Sequence, residues 1–220
     1  MKLYGSSRSP YVRKVLITAH ETGTIGDMDI EMMTVTAKAS NPRLLEINPL
    51  GQIPTLVLDD GEVFYDSAVI CRYLDLVLGE GRLHPREIAA ELAMMRRLAV
   101  GDGLIATLMN LLAEQARCQP GHSDLRIAAI MRKLPCIFSS LDAEADRMAE
   151  APFDMSQITI IAALCYVDFR LSAAWPWRDG YPALARWFAI AGARSSVVAT
   201  AYFDEQGAAG TGQAEKARTQ

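Results

Sequence analysis

An α/β unit followed by an all-helical unit is the fold class that this 220-residue sequence predicts. Three observations predict it. Through residue 78, short apolar strand-like runs alternate with helical patterns in the order β-α-β-α-β-β-α, which builds a sheet covered by helices. Residues 79–86, GEGRLHPR, are dense in glycine and carry Pro85, the composition of a linker. Beyond them the pattern becomes helical and stays so. The expected division is therefore 1–78, a linker at 79–86, a helical unit at 87–206, and a polar, small-residue tail at 207–220 that lacks the apolar content to order itself.

Each element has a local reason. Residues 2–5 are a short β-like run and 6–9 a polar loop. Pro10 suits the first turn of a helix, where its missing N–H costs nothing, and Val12, Val15, Leu16 and Ala19 give that helix an apolar stripe before Gly23 closes it. Residues 27–35 read as a second strand, and 36–47 as an irregular segment with a short helix after Pro42. The most informative stretch is 48–75, NPLGQIPTLVLDDGEVFYDSAVICRYLD. Here Ile53-Pro54 enters an apolar strand, Asp59-Asp60-Gly61 turns a hairpin, residues 62–65 return, and a helix opens at Asp66-Ser67. In the second half, 87–117 reads as one long helix with a bend at Gly101-Asp102-Gly103. A further helix over 123–148 is kinked, or properly begun, at Pro135. The most apolar helix spans 156–171, and 181–194 follows an Asp-Gly turn.

Bulk properties exclude several classes. With 50% hydrophobic and 22% charged residues the chain has the composition of a soluble globular protein. A net charge of −4 and no basic stripe argue against a nucleic-acid partner. No apolar run approaches the roughly 20 residues that span a bilayer, and MKLYGSSRSP is too polar for a signal peptide, so a cytoplasmic protein with no membrane partner is expected. Cys71, Cys118, Cys136 and Cys165 lack any C-x-x-C pairing, and His20, His84 and His122 lie far apart. No metal site and no disulfide framework are expected; Cys71 and Cys165 fall in apolar helical patterns as inert thiols.

The stretch 48–75, the loop SSRSPYVRK at 6–14, and YPALARWFAIAGARSSVVAT at 181–200 together resemble the cytosolic glutathione S-transferases, in particular bacterial members with a serine-type loop. The likeness extends over 1–203 and is strongest at 1–20 and 48–75. It implies a thioredoxin-like first domain, an all-α second domain, glutathione as cosubstrate without a metal, and a homodimer joined through the helix around Arg72 and the long second-domain helix. It also implies site roles. Pro54 would be cis, and Ile53 would offer its backbone N–H and C=O to the cysteinyl part of glutathione. Gln52 would reach the peptide from below. Asp66 would take the γ-glutamyl ammonium, and Ser67 with its helix N-terminus the γ-glutamyl carboxylate. Without the resemblance, Asp66-Ser67 reads as a cap and Pro54 as a strand-edge proline. Ser156-Gln157-Ile158-Thr159 sits where the family has a capping box, with Thr159 in place of an acidic residue, so a weaker helix start is expected there.

Such an enzyme must hold its thiol as thiolate, because the thiolate is the nucleophile. A hydroxyl donating to sulfur at a helix N-terminus can do this, and Ser9, directly before Pro10, is the first candidate, with Ser7 and Ser6 as runners-up. Read alone, Ser9 is an N-cap, and Tyr4 is core or groove wall. A serine at position 9 cannot form the mixed disulfides that a cysteine would, which favours conjugation, addition or peroxide reduction over thiol–disulfide exchange. The second substrate would be a small hydrophobic electrophile against Leu104, Thr107, Leu108 and Leu111 of the long helix, although that spacing equally describes plain core. Two other readings stay open: a non-catalytic relative that binds a ligand or partner protein, and a glutathione-dependent isomerase or peroxidase, the isomerase kept open by Arg8 and Arg13.

Overall fold

The computed structural model describes residues 1–35, 40–117 and 123–203. Cys118, His122, most of the start of the 36–47 segment and the tail from residue 207 lie outside the described residues.

Four strands form one sheet in the order β2-β1-β3-β4: β1 (Lys2–Gly5), β2 (Asp29–Met32), β3 (Thr55–Val57) and β4 (Val63–Phe64). β2 runs parallel to β1, with Leu3 opposite Ile30, which requires the crossover supplied by α1 (Pro10–Thr22). β3 runs antiparallel to β1, and β4 to β3. The second strand is shorter than 27–35, because Ile25–Asp27 form a 3₁₀ turn ahead of it. α2 (Pro42–Ile47) precedes β3, and α3 (Ser67–Tyr73) follows β4 and runs on into a π-helical turn at Leu74–Leu78. Gly23 ends α1 in the left-handed region at φ 75°, where its N–H bonds the His20 carbonyl at 3.2 Å.

The helical part comprises α4 (Ile88–Gln115), α5 (Asp124–Met131), α6 (Lys133–Glu150), α7 (Met155–Leu171), α8 (Pro182–Ala191) and α9 (Ser195–Ala199). The stretch expected as a single helix over 123–148 breaks at Arg132. Pro135 is the third residue of α6, where its missing N–H is among the donors that lack an intrahelical partner anyway. The stretch 181–194 holds α8 as its one helix, and α9 follows it.

Between residue 78 and α4 the chain is pinned rather than loose. The buried Asp75 accepts from the Leu83 N–H at 3.0 Å and meets His84 Nδ1 at 2.6 Å, while Leu83 C=O accepts from the Met155 N–H at the start of α7. His84 is thus a fastener and not incidental.

One continuous apolar core crosses both halves, running from Leu3, Val15 and Leu56 through Ile70 and Leu74 to Leu104, Leu108, Ile160 and Leu164. α1 touches the sheet side through α3 and the helical side through α7. Its buried Thr18 hydroxyl back-bonds to Lys14 C=O at 2.9 Å and lies 3.3 Å from Cys71 Sγ. Burial pushes the Cys71 thiol up to about 11, so it behaves as a core atom.

α4 is continuous through Gly101-Asp102-Gly103. Gly101 serves a close approach. A Cβ there would stand 2.9 Å from Thr159 Cγ2 and 3.2 Å from the Ile160 backbone nitrogen, so α4 and α7 meet where a side chain cannot fit, whereas a Cβ at Gly103 would meet nothing. Gly101→Ala is therefore expected to destabilise the fold by about 1–2 kcal/mol, the overpacking cost exceeding the gain in helix propensity. Gly103→Ala should stabilise it by about 0.5–1 kcal/mol. Urea denaturation of the two variants checks the pair; equal shifts would mean that the glycines act through propensity alone.

Candidate functional site

The 48–55 loop is built around Asn48, whose side chain is wholly buried. Its Nδ2 donates to Gln52 C=O at 3.0 Å and to Thr55 Oγ1 at 2.9 Å, and its Oδ1 accepts from the Leu50 N–H at 2.9 Å. Gly51, at φ 58°, makes the turn that a side chain would strain. The peptide between Ile53 and Pro54 is cis, as is that between Tyr65 and Asp66. Among the described residues, neither the N–H nor the C=O of Ile53 has a backbone partner.

Ser9 caps α1. Its backbone is extended (φ −89°, ψ 123°), its Oγ accepts from the Val12 N–H at 3.3 Å, and its own N–H donates to Ser6 C=O at 3.1 Å. Asp66 caps α3, with Oδ1 accepting from the Ala68 N–H at 3.0 Å. Ser67 follows as the first helical residue, buried, its hydroxyl unbonded among the described residues.

These groups surround one cleft of about 750 Å³ between the sheet side and the helices. Ser6, Ser9, Gln52, Ile53, Pro54, Asp66 and Ser67 line it, with Asn48, Leu50 and Gly51 of the same loop and Arg8, Pro10 and Tyr11 from the start of α1. Ser7 does not: its Oγ donates to Phe203 C=O at 2.8 Å, tying the loop to the far end of the described chain.

The helical wall differs from expectation. Leu104, Leu108 and Leu111 have at most 1% of their surface exposed and belong to the core, and Thr107 turns its hydroxyl back to Gly103 C=O at 2.7 Å. Their spacing marks the buried face of α4, which packs on α7, and none of them lines the cleft. The cleft instead meets Met109 of α4 and Tyr166 and Arg170 of α7, with Tyr166 Oη 3.4 Å from Met109 Sδ. Tyr166 and Arg170, one turn apart near the end of an apolar helix, were the sequence signal for this wall. Arg13 is not in the cleft; its guanidinium is buried, donating to Val197 C=O at 2.9 Å. Tyr4 is core.

The start of α7 also differs. Asp154, not Ser156, is the cap: its Oδ1 accepts from the Gln157 N–H at 3.0 Å, and Arg97 binds both Asp154 Oδ2 (3.1 Å) and Ser156 Oγ (3.2 Å). Thr159 lies one turn inside and back-bonds to Met155 C=O at 2.9 Å, so the absent acidic residue leaves no cap vacant.

Two features set the electrostatics. Burial first, then the charges of Asp102 and Asp66, push the Tyr11 hydroxyl above its ordinary range, so Tyr11 stays protonated at neutral pH. Beneath it, Lys14, 1% exposed, places Nζ 2.8 Å from Asp102 Oδ1 of α4. Among the described residues there is no cluster of three His, Cys, Asp or Glu able to hold a metal, and no helix is long and apolar enough to cross a membrane.

A thioredoxin-like sheet packed on a helical bundle, with a polar cleft at the N-termini of α1 and α3, defines a glutathione transferase type of enzyme. The comparisons agree. Residues 8–77 match the family model described as glutathione S-transferase, N-terminal domain. A glutathione transferase family member from Pseudomonas fluorescens Pf-5, solved with bound glutathione, superposes with a TM-score of 0.87 at 33% identity, over 92% of this chain and 99% of that one. A glutathione S-transferase from Methylobacillus flagellatus KT, solved with GSH bound, does so at 0.80 and 31% identity, over 92% and 99%. The uncharacterized GST-like protein YibF of Escherichia coli K12 is 29% identical over 175 residues, 77% of this chain and 83% of its own length. The chain belongs to the glutathione transferase family.

The Lys14–Asp102 pair fixes α1, and with it Ser9, against α4. Asp102→Asn strands a buried ammonium and is expected to cost about 3 kcal/mol. Lys14→Met leaves an aspartate that is 31% exposed and can be hydrated, so its cost should stay below about 1 kcal/mol. Chemical denaturation of both variants reads this asymmetry; similar losses would mean that the pair is not held by desolvation.

Proposed function

We propose that this protein activates the thiol of glutathione in the cleft and directs the thiolate at an electrophile held against Met109, Tyr166 and Arg170. The observation that carries the reading is convergence: two helix caps and the backbone of Ile53 in the loop before β3, which has no backbone partner among the described residues, face one cavity. The Ile53 N–H and C=O offer the paired donor and acceptor that an extended cysteinyl backbone needs. Ser67 Oγ and the free N–H groups of α3 suit the γ-glutamyl carboxylate, and the outer oxygen of Asp66 suits the ammonium. Gln52 is placed to reach the peptide, and the thiol then lies toward Ser9. The bound glutathione of the Pseudomonas fluorescens and Methylobacillus flagellatus relatives supports the same ligand here.

Ser9 Oγ is the group assigned to the sulfur. A hydroxyl hydrogen bond to a charged acceptor contributes about 1.5–3 kcal/mol, enough to lower a thiol pKa by about one unit. The N-terminus of α1 adds to it in the same direction. Attack follows as a displacement or an addition: sulfur forms the new bond while the electrophile's leaving group departs with its electron pair, or its π electrons shift to the neighbouring atom and take a proton from water.

The test is an ultraviolet difference titration of glutathione on the purified protein. Bound thiol is expected to ionise below free glutathione, and in Ser9→Ala about one pH unit higher than in the parent, with kcat/KM lowered about tenfold. Tyr11 does not confuse the signal, because its ionisation is displaced upward and away from the thiol's. A titration unchanged by Ser9→Ala would transfer the role to Ser6, the other hydroxyl of this loop in the cleft. Glutathione binding without a thiolate signal would favour a non-catalytic binder, and turnover of peroxides or double-bond isomers alone would assign those reactions instead.

We further propose a homodimer. Val69 of α3, Val77 after it, and Ile88, Leu92 and Met95 along α4 are 45–71% exposed, and the last three sit at i, i+4, i+7. An apolar face of this kind on a protein with a full core fits a second copy. Sedimentation velocity should show a dimer that Leu92→Glu converts to monomer; a monomeric parent would remove the proposal.

A further inference from the structure

Tyr11 brings into the cleft a hydrogen-bond donor that the fold itself does not use. It is the second residue of α1, two places after Ser9, and both line the cleft. Its side chain is half-buried, and among the described residues its hydroxyl has no hydrogen-bond partner. Lys14 Nζ, held by Asp102 at 2.8 Å, lies 6.0 Å from the centroid of its ring, within reach of a cation–π attraction. Besides burial, three groups push the hydroxyl's pKa up: Asp102 of α4, Asp66 at the start of α3 and Tyr166 of α7. Such influence falls off with distance, so the hydroxyl is near all three. Asp66 belongs to the wall assigned to glutathione and Tyr166 to the wall assigned to the electrophile. The donor therefore stands between the two.

The other tyrosines of the cleft are placed differently. Tyr166 directs its hydroxyl to Met109 Sδ at 3.4 Å, and Tyr65 directly precedes Asp66, on the side assigned to the γ-glutamyl group. Tyr11 stays protonated at neutral pH, so it can donate without adding charge. That suits one kind of electrophile. When a thiolate attacks the β-carbon of an α,β-unsaturated ketone, the sulfur–carbon bond forms, the carbon–carbon π pair shifts toward the carbonyl carbon, and the carbonyl π pair moves onto oxygen. The α-carbon then takes a proton from water. Negative charge thus arrives on an oxygen inside a cleft that already holds the Asp66 carboxylate. A donor facing that oxygen binds the transition state more strongly than the ground state. Displacement of a halide instead sends the charge away on the leaving group, where a fixed donor gains nothing.

We propose that Tyr11 is a further catalytic residue, its hydroxyl donating to the carbonyl oxygen of α,β-unsaturated carbonyl electrophiles and so favouring conjugate addition over halide displacement. This rests on the glutathione reading above. The glutathione sulfur is the competing acceptor, and the test separates the two.

The probes are trans-4-phenyl-3-buten-2-one and benzyl chloride, uncharged electrophiles with the same phenyl ring. The first reacts by the addition just described. In the second, sulfur bonds to the benzylic carbon, the carbon–chlorine bond breaks, and chloride leaves with the electron pair. Each kcat/KM is divided by the rate constant of its uncatalysed reaction with glutathione. The resulting enone-to-chloride ratio should be well above one in the parent and fall by at least about tenfold in Tyr11→Phe, the effect of one hydrogen bond to a charged oxygen. Tyr65→Phe should leave the ratio unchanged, and bound thiol should ionise at the same pH in Tyr11→Phe as in the parent. The ratio cancels any loss of folding common to both substrates. Where turnover is too slow to read, calorimetry with the two product conjugates replaces it: Tyr11→Phe should weaken the ketone-bearing conjugate and not S-benzylglutathione.

A ratio near one in the parent, or one that Tyr11→Phe leaves unchanged, overturns the proposal, as does a fall seen in Tyr65→Phe or Tyr166→Phe in place of Tyr11→Phe. Equal losses on both substrates, with the thiol ionising at higher pH, also overturn it and give Tyr11 to the sulfur. Calorimetry with glutathione alone tells the two levels apart. No binding at all removes the glutathione reading and this one together, and binding with an unchanged ratio removes only this one.

Discussion

Lys14 carries its ammonium group into an interior where almost none of it reaches water, and Asp102 meets it at 2.8 Å from the middle of α4. An unpaired ammonium at that depth would cost several kcal/mol, so wherever Lys14 goes Asp102 must follow. The pair thereby joins the helix that crosses over the sheet to the helix that leads the bundle. Asp102 reaches that position because its neighbour Gly101 lets α4 close on Thr159 and Ile160 of α7, and α7 in turn packs against α1. Sheet, α1, α4 and α7 are consequently one packed body, and the cleft is the space left where α1 begins. The same arrangement explains why the cleft has two chemically different walls. The sheet side supplies helix caps and the loop before β3; the helical side supplies sulfur, a phenol and a guanidinium.

What could be read from sequence was local. Residues 48–75 encode their conformation in turn and cap chemistry: Asp59-Asp60-Gly61 turns the hairpin, Asp66 caps α3, and Pro54 precedes β3, all within a few residues of the groups they act on. The loop before Pro10 is legible for the same reason. The sequence failed where the partner lay far along the chain. Gly101 and Gly103 look alike to propensity, yet one is a helix–helix contact and the other open surface, a difference created by α7 some 58 residues later. Leu104, Leu108 and Leu111 form a correct apolar stripe, but a stripe does not say whether it faces a neighbouring helix or a ligand. Asp154 was overlooked as a cap because Ser156 stands two residues on and both are good cap formers. The Arg97 contacts that bind the two together come from another helix.

The chain end is part of the same body. Glu21 of α1 accepts from Arg194 Nε at 2.8 Å and from Ser196 Oγ at 2.5 Å. Burial would raise its carboxyl, but these hydrogen bonds outweigh burial and hold it below the ordinary range. A carboxyl depressed in the folded state contributes stability above its unfolded pKa, near 4.3, and loses it as pH falls through the folded value. The contribution is thus complete at neutral pH. With Ser7 bonded to Phe203 and Tyr202 stacked between Arg13 and Phe169, residues 194–203 brace α1 along its outer side and the serine loop from behind. Ser7 therefore acts on the cleft through position, and a hydroxyl committed to that carbonyl is unavailable to a ligand's sulfur.

The structural roles of the cleft residues do not compete with the chemical roles proposed for them. Ser9 caps α1 through its oxygen lone pair, accepting from Val12, while its hydroxyl hydrogen remains to be donated. Asp66 caps α3 with Oδ1, so the cap leaves Oδ2 for the ammonium that the proposed reading assigns to it. The cap also orients the group: once Val12 N–H fixes where the Ser9 oxygen sits, rotation about the C–O bond is the freedom left to its proton. A residue in solution that donated to sulfur would first have to lose that rotational and positional freedom, whereas here folding has already removed most of it. Reading such a residue as a cap or as a site group is a false choice. If Ser9 donates to sulfur as proposed, the cap is what makes a weak donor like serine a preorganised one, and the helix it begins adds its own positive end to the same point.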